Sequence, residues 1–264
     1  FLHKTMAIDS MRAGCDVYLE KPAALNYDEG LEILAVEKET GKKVCVSFQN
    51  RVIPTNLTAK KMIDSGELGA FRGARAFMTW NRSGAYYTQS PGRGRFATEG
   101  GGVLMNQSIH TLDLLYYFGG KIDHTQGTAS LRKNADIIEV EDTAEATVFY
   151  ESGKTAIFYA TNCNVTDASV MVEVYLEKGK LLLQDNRLYK DVGNGYELVL
   201  DDSAQMALGK MVWGNGHAMM MNRFYASLDG KDEYYCTLED ALPVLKVIGD
   251  IYECSGEHTG SITR

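Results

Sequence analysis

The chain has 264 residues, 45% of them apolar, enough to build one large domain or two ordinary ones around a real core. A formal charge of −8 and a pI near 5.2 argue against nucleic-acid partners, which select basic surfaces. Five cysteines, an odd number with no Cys-x-x-Cys pair, give no sign of a disulfide framework or zinc knuckle and point to a reducing cytoplasm; no apolar run approaches the roughly 18 residues of a membrane span, and the first residues given do not show the basic, apolar and small-residue pattern of a signal peptide.

The chain opens on Phe-Leu-His rather than Met, so part of the protein is expected to precede it. Residues 3 to 13 read as a helix closed by Gly14, and 16 to 20 as a strand. Asn26 offers a cap with Asp28 and Glu29 in the first turn; Leu31, Leu34 and Ala35 form an i, i+3, i+4 stripe, and Gly41 ends the helix. Val44 to Phe48 is the next strand. This alternation predicts parallel βαβ packing, in which ligands collect beyond the carboxyl ends of the strands. Glu20 and Lys21 stand at one such end, where a charged pair is awkward to solvate unless the site uses an amine.

A helix from Pro54 to about Ser65 follows, and from Phe71 the texture changes to strands: 71 to 80, 125 to 132, 140 to 150, 154 to 162, 170 to 176 and 179 to 184. Glu151-Ser152-Gly153 and Lys178-Gly179 are the turn signals. Helices are predicted at about 107 to 118, 217 to 228 and 238 to 254, the last from Leu242, Leu245, Ile248 and Tyr252. The fold class is α/β (a partial Rossmann unit, residues 1–53) followed by an α+β domain (54–264) with a large, mostly antiparallel, open-faced sheet.

In "MNQSIHTLDLLYYF", Asn106, His110, Asp113 and Tyr117 fall on one helical face, a pattern that suits either a solvated stripe or a site. Gly100 to Gly102, just before it, would let backbone approach a ligand closely. Gly92-Arg93-Gly94-Arg95-Phe96-Ala97 matches a dinucleotide fingerprint literally but does not follow a strand, and the Gly-Asn-Gly stretches at 193 to 195 and 214 to 216 lack a third glycine. No ligand cluster with metal spacing and no serine-hydrolase motif is present.

Glu20-Lys21-Pro22 after a strand, Gln49-Asn50-Arg51 with Pro54 after the next, "SGELGAFRGAR", the triple glycine before Asn106-x-x-x-His110-x-x-Asp113, Glu141-Asp142-Thr143-Ala144 and the late Gly216-His217 together resemble the Gfo/Idh/MocA oxidoreductase family, in order over essentially the whole chain. The resemblance implies a two-domain, NAD- or NADP-dependent dehydrogenase acting on a sugar, inositol or sugar nucleotide. It also implies a homodimer or homotetramer through the antiparallel sheet. Roughly 75 to 80 residues of a Gly-rich βαβ unit would precede Phe1, so cofactor binding by this stretch alone is doubtful and β-strand 16 to 20 is left with an open edge. Where many members carry aspartate, this chain has Asn106, which accepts no proton at neutral pH.

The resemblance assigns Lys21 and His110 to catalysis, since an alcohol oxidised by hydride transfer must also lose its hydroxyl proton to a base. A lysine buried beside a cationic cofactor is pulled down toward the working range, and histidine needs less adjustment. The cofactor side falls to His3, Glu20, Lys21, Pro22, Asn50 and Arg51; the substrate side to Asn106, Asp113, Trp80, Arg82, Tyr86, Tyr87 and His217. The loop holding Trp80, Arg82, Tyr86, Tyr87, Arg93 and Arg95 reads equally as a sugar and anion contact or as a lid or inter-subunit loop. His217 reads as a substrate contact or as a packed structural histidine. Two other functions share the pattern: an NAD-dependent glycoside hydrolase, and a noncatalytic oligomerisation and sugar-binding module.

Overall fold

A computed structural model describes residues 1–204, 215–231 and 234–256; Gly214, and with it the start of the second Gly-Asn-Gly stretch, lies outside the described residues. The first 46 residues fold as α1 (His3–Arg12), β1 (Val17–Leu19), α2 (Tyr27–Thr40) and β2 (Val44–Val46). Asn26 caps α2 by accepting the Glu29 amide at 2.9 Å, and Gly41 closes it at φ 64°, a conformation that suits glycine. β1 and β2 pair in parallel, Val17 opposite Val44 and Leu19 opposite Val46. Both strands are shorter than expected; after β2 the chain tightens into a 3-10 turn at Gln49–Val52, ahead of α3 (Pro54–Asp64). Pro54 sits in the first turn of α3, where a missing N–H is harmless.

The remaining elements are β3 (Phe71–Thr79), two short helices α4 (Gly84–Thr88) and α5 (Phe96–Glu99), α6 (Ile109–Gly119), β4 (Ile122–Ser130), β5 (Thr143–Tyr150), β6 (Thr155–Thr161), β7 (Met171–Leu176), β8 (Gly179–Gln184), β9 (Arg187–Asp191), β10 (Glu197–Asp201), α7 (Gly216–Leu228) and α8 (Leu238–Cys254). They form an eight-stranded sheet in the order β10-β9-β8-β7-β3-β6-β5-β4, antiparallel except where β3 meets β6. β9 and β10 were not expected. Their signal is Asp185-Asn186, a two-residue turn with φ of 54° and 55°, which those two residue types tolerate better than most. The β7–β8 turn is Glu177-Lys178, so Gly179 already belongs to the strand.

One sheet face is buried through Ala74, Ala76, Met78, Phe158, Val172 and Val174 beneath α6 and α8. α8 begins with a reciprocal cap between Thr237 and Asp240 and packs against α2 as well as β4. It approaches so closely that a Cβ on Gly30 would lie 2.2 Å from Leu242 Cδ2. The apolar core therefore runs unbroken from Ala7 in α1 to Tyr252 in α8. The opposite sheet face carries Arg75, Phe77, Ile157, Tyr159 and Glu173; the Glu173 carboxylate is covered by Arg75, Tyr175 and Tyr196. Among the described residues, no helix is long and apolar enough to cross a membrane.

The 3-10 turn and α6 are joined inside the protein by an ion pair. Arg51, 2% exposed, holds the carboxylate of Asp113, 0% exposed, through Nε at 2.9 Å and Nη2 at 2.7 Å, and donates further to Tyr234 Oη and the Asp240 carbonyl, both at 3.0 Å. Tyr117 lies 5.1 Å beneath the guanidinium. Burial opposes the Arg51 charge, but Asp113 outweighs it and holds the guanidinium more firmly protonated than usual; burial pushes the Asp113 carboxyl up while Arg51 pulls it back. Arg51, expected beside the cofactor, and Asp113, expected beside the substrate, are thus turned toward each other, with every polar direction of the pair satisfied internally. Asp113→Ala, which strands a buried guanidinium, should cost about 3–5 kcal/mol in urea denaturation, and replacing both partners (Arg51→Met with Asp113→Leu) should cost less than the single change.

Candidate active site

Glu20, Lys21 and Pro22 leave the carboxyl end of β1 with a cis peptide between Lys21 and Pro22. His3 Nδ1 donates to the Pro22 carbonyl at 2.6 Å, so the first helix braces this segment. Lys21 Nζ donates to the Asn106 carbonyl at 2.6 Å. Glu20 Oε1 lies 3.5 Å from His217 Nε2 at the start of α7. Burial opposes ionisation of Glu20, yet the hydrogen bond and charge of His217 and the Lys21 amide leave its carboxyl below the usual range.

Asn106 does not stand on α6, which starts three residues later at Ile109; it belongs to a run of turns from Gly101. Glu141 explains why. Its fully buried carboxylate accepts the amides of Gly102 and Leu104, both at 2.9 Å, and the Tyr252 hydroxyl at 2.8 Å, while its own carbonyl accepts the Val103 amide. A Cβ on Gly102 would fall 1.8 Å from the Glu141 carbonyl oxygen, and one on Gly101 2.0 Å from Tyr252 Oη. The glycine run thus lets protein pack on protein, in place of the ligand approach expected of it.

The turn sends adjacent residues into opposite pockets. Asn106 joins Lys21, Pro22, His3 and Glu99 around a small pocket of about 180 Å³, its Nδ2 donating to Glu99 at 2.8 Å. Gln107 joins His110, Asn50, Trp80 and Arg82 around a cleft of about 970 Å³ above the sheet. Asn50, expected on the cofactor side, therefore lies on the cleft. Tyr86 and Tyr87 stand behind the cleft wall: Gln107 Nε2 donates to Tyr86 Oη at 3.0 Å, and Asn162 Nδ2 bridges Tyr87 Oη at 3.2 Å and Gln107 Oε1 at 3.0 Å. Arg93 stacks 4.2 Å from the Tyr86 ring, and Arg95 pairs with Glu139. Gln107, Asn162 and Glu141 were not singled out individually as site residues. Only the polar string around Asn106 and the Glu-Asp-Thr-Ala motif marked their neighbourhood.

His110 is a buried polar residue of the cleft, with Thr55, Asn56, Gln107 and Thr111. It meets Phe48 edge-on at 5.8 Å, and its Nδ1 has no hydrogen-bond partner among the described residues. Burial, and then the nearby charges of Lys21 and His217, hold its pKa well below the ordinary histidine value, so the imidazole is neutral at pH 7. Burial also lowers the Lys21 ammonium, an effect that Glu20 and Glu99 partly oppose. The result is a neutral base opening on the large cleft and a partly desolvated amine opening on the small pocket. Among the described residues no cluster of three or more His, Cys, Asp or Glu is placed to hold a metal.

A family model described as "GFO/IDH/MocA C-terminal domain" matches residues 56–182, and one described as "Oxidoreductase family, NAD-binding Rossmann fold" matches residues 1–48. The scyllo-inositol 2-dehydrogenase (NAD(+)) of Bacillus subtilis is 24% identical over 207 residues, 75% of this chain and 58% of its own length. The D-glucoside 3-dehydrogenase of Escherichia coli is 24% identical over 272 residues, 95% of this chain and 72% of its own. The chain thus spans little more than half of the inositol enzyme. Among solved structures, the WlbA dehydrogenase from Bordetella pertussis, in complex with NADH and UDP-GlcNAcA, superposes with a TM-score of 0.82 at 24% identity, covering 97% of this chain and 74% of that one. At that identity the likeness shows the fold.

Glu141 titrates within reach of experiment. Burial raises its carboxyl to about 7, against the pull of the Leu104 amide, the Tyr252 hydroxyl and the Gly102 amide. A folded-state value above the unfolded one means that the fold favours the proton: the stability it contributes is complete below about 4.5 and is lost as pH rises through 7. The difference in unfolding free energy between the native chain and Glu141→Gln, in which other carboxylates cancel, should fall by on the order of 3 kcal/mol between pH 4.5 and 7.5 in urea titrations.

Proposed function

We propose that this chain, which belongs to the Gfo/Idh/MocA oxidoreductase family, forms the substrate site of an NAD(P)-dependent dehydrogenase that oxidises a secondary hydroxyl of a sugar, inositol or sugar derivative. On this reading residues 1–53 are part of the dinucleotide-binding domain and 54–264 the substrate domain. The observation that carries it is a neutral, buried His110 facing a roomy cleft, electrostatically coupled to a buried Lys21 on the other side of one turn.

The residues around the small pocket, among them His3, Lys21, Pro22, Met105 and Asn106, are the ones that would hold the nicotinamide end of the cofactor. NAD(P)+, when bound, would supply the hydride acceptor. The chain's own residues do the proton work. His110, uncharged, takes the hydroxyl proton as the carbon–hydrogen bond breaks, within the contribution of about 10²–10⁴ usual for a positioned base. Lys21 lines the small pocket and not the cleft, so it favours the oxygen on which negative charge develops through its charge, which reaches His110 across the turn. The Asn106 carbonyl aims the amine, and Glu20 pairs with His217 beside it, outside the lining of both pockets.

In the full gene product, Lys21→Ala should lower kcat/KM for NAD(P)+-linked oxidation of its sugar or polyol by about 10²–10⁴ with an unchanged circular dichroism spectrum. Retained turnover would take Lys21 out of the chemistry. The outer sheet face is the natural seat of a homodimer or homotetramer, since Ile157 is 56% exposed there and Phe77 and Tyr159 flank it. Ile157→Asp should shift the mass measured by light scattering toward the monomer at micromolar concentration.

A further inference from the structure

The cleft that holds His110 is larger and electrically quieter than a single sugar ring requires. It starts at Trp80, next to the end of β3, crosses Val172 on β7 and Leu183 on β8, and ends at Asn186 and Arg187 where β9 begins. Those strands are neighbours in the order β9-β8-β7-β3, so three inter-strand steps of about 4.8 Å give a trough roughly 14 Å long. Its volume, about 970 Å³, is at the upper end of small-molecule sites, roughly 300–1,000 Å³. One pyranose ring would leave most of it to water.

The charges lining it are already spoken for. Arg82 Nη1 holds both oxygens of Asp167, at 3.0 and 3.1 Å, and its guanidinium lies 4.7 Å from the Trp80 ring. Arg187 donates from Nε to Asp201 at 2.9 Å and from Nη2 to Ser203 at 3.0 Å. The described lining thus offers two guanidinium groups, each with an aspartate partner, and one further carboxylate, Asp185, but no cation held for a phosphate or carboxylate. Polar atoms that want a partner cluster instead at the reacting end, where buried Asn50 Oδ1 and His110 Nδ1 have none. The floor between is apolar, from Leu114, Val170, Val172 and Leu183. Hydroxyl partners at one end, an apolar floor and the absence of a spare cation among the described lining match a neutral carbohydrate of more than one ring.

We infer that the substrate is an uncharged glycoside or oligosaccharide of at least two units, its oxidised ring against His110 and its second unit over β8 and the β8–β9 turn. This rests on the sugar-site reading above and narrows it, setting aside sugar nucleotides, sugar phosphates and uronates.

Binding separates the two claims, because it needs no turnover. The full gene product would be titrated by calorimetry with neutral disaccharides (maltose, cellobiose, lactose, sucrose), with methyl glucoside and methyl galactoside, and with UDP-glucose, glucose 6-phosphate and glucuronate. At least one disaccharide should bind ten-fold or more tighter than either methyl glycoside, and the anions should bind weakest. Arg187→Ala should weaken the preferred disaccharide five-fold or more and leave the methyl glycosides unchanged. Asp167→Asn, which frees Arg82, should improve glucuronate binding several-fold. An anion binding as well as the best disaccharide, a methyl glycoside equal to it, or no binding by any neutral sugar would overturn the inference. Absence of NAD(P)+ reduction with a sugar that does bind would instead count against the dehydrogenase reading alone.

Discussion

The carboxylate of Glu141 fixes the turn on which both halves of the site depend. Two amides and a tyrosine hydroxyl converge on it in a space with no room for a Cβ at Gly102. These bonds tie down the path of residues 102 to 104, and the turn that follows sends Asn106 to the Lys21 side and Gln107 to the cleft side. Tyr252 brings in α8, so the last helix of the described chain helps to set the geometry of a turn about 150 residues earlier. An interior acceptor with three donors is costly to disturb, because each donor left behind would lose its partner away from solvent.

The Arg51–Asp113 pair supports the same turn from below. Asp113 lies one turn beyond His110 on α6, and Arg51 lies next to Asn50, which lines the cleft. The pair therefore locks the helix that carries His110 to the segment that carries Asn50. Apolar residues of the same volume would match it in stability, but they would not fix the register between the two segments; a bidentate guanidinium does. Positioning to within a few tenths of an ångström is what a proton-transfer site asks of its scaffold.

Much of this was legible in the sequence where a local rule operates. Asn26 and Gly41 announced the ends of α2, Pro54 the start of α3, and Leu242, Leu245, Ile248 and Tyr252 the buried stripe of α8. The misses arise where distant chain decides. Asn106, His110 and Asp113 lie on one face of an ideal helix, but Glu141, 35 residues on, unwinds the first of them into a turn. Arg51 and Asp113 read as site residues because charge after a strand suggests ligands, and nothing local says that each is the other's partner across 62 positions. β9 and β10 escaped because Asp185-Asn186 lacks the glycine that usually flags a two-residue turn, although its backbone does what Asn-Gly would do.

The distribution of charge gives the arrangement its direction. In the cleft the guanidinium groups are matched by aspartates and His110 is neutral. Behind the turn the ammonium of Lys21 is desolvated and hydrogen-bonded to a neutral carbonyl, with Glu20 and Glu99 as its nearby carboxylates, while the ammonium of Lys4 at the same pocket is paired with Glu29 and Glu32. A trough whose cations are already paired holds no spare positive charge for a ligand along its length, so the positive field an alcohol meets there comes chiefly from the end where Lys21 lies. On the reading proposed above, negative charge forming on its oxygen would be favoured by the buried amine, and the neutral imidazole would have the capacity to accept the proton. Discrimination between the ground state and the charge-developing state would then follow from keeping a desolvated ammonium behind the turn and a neutral imidazole in the cleft.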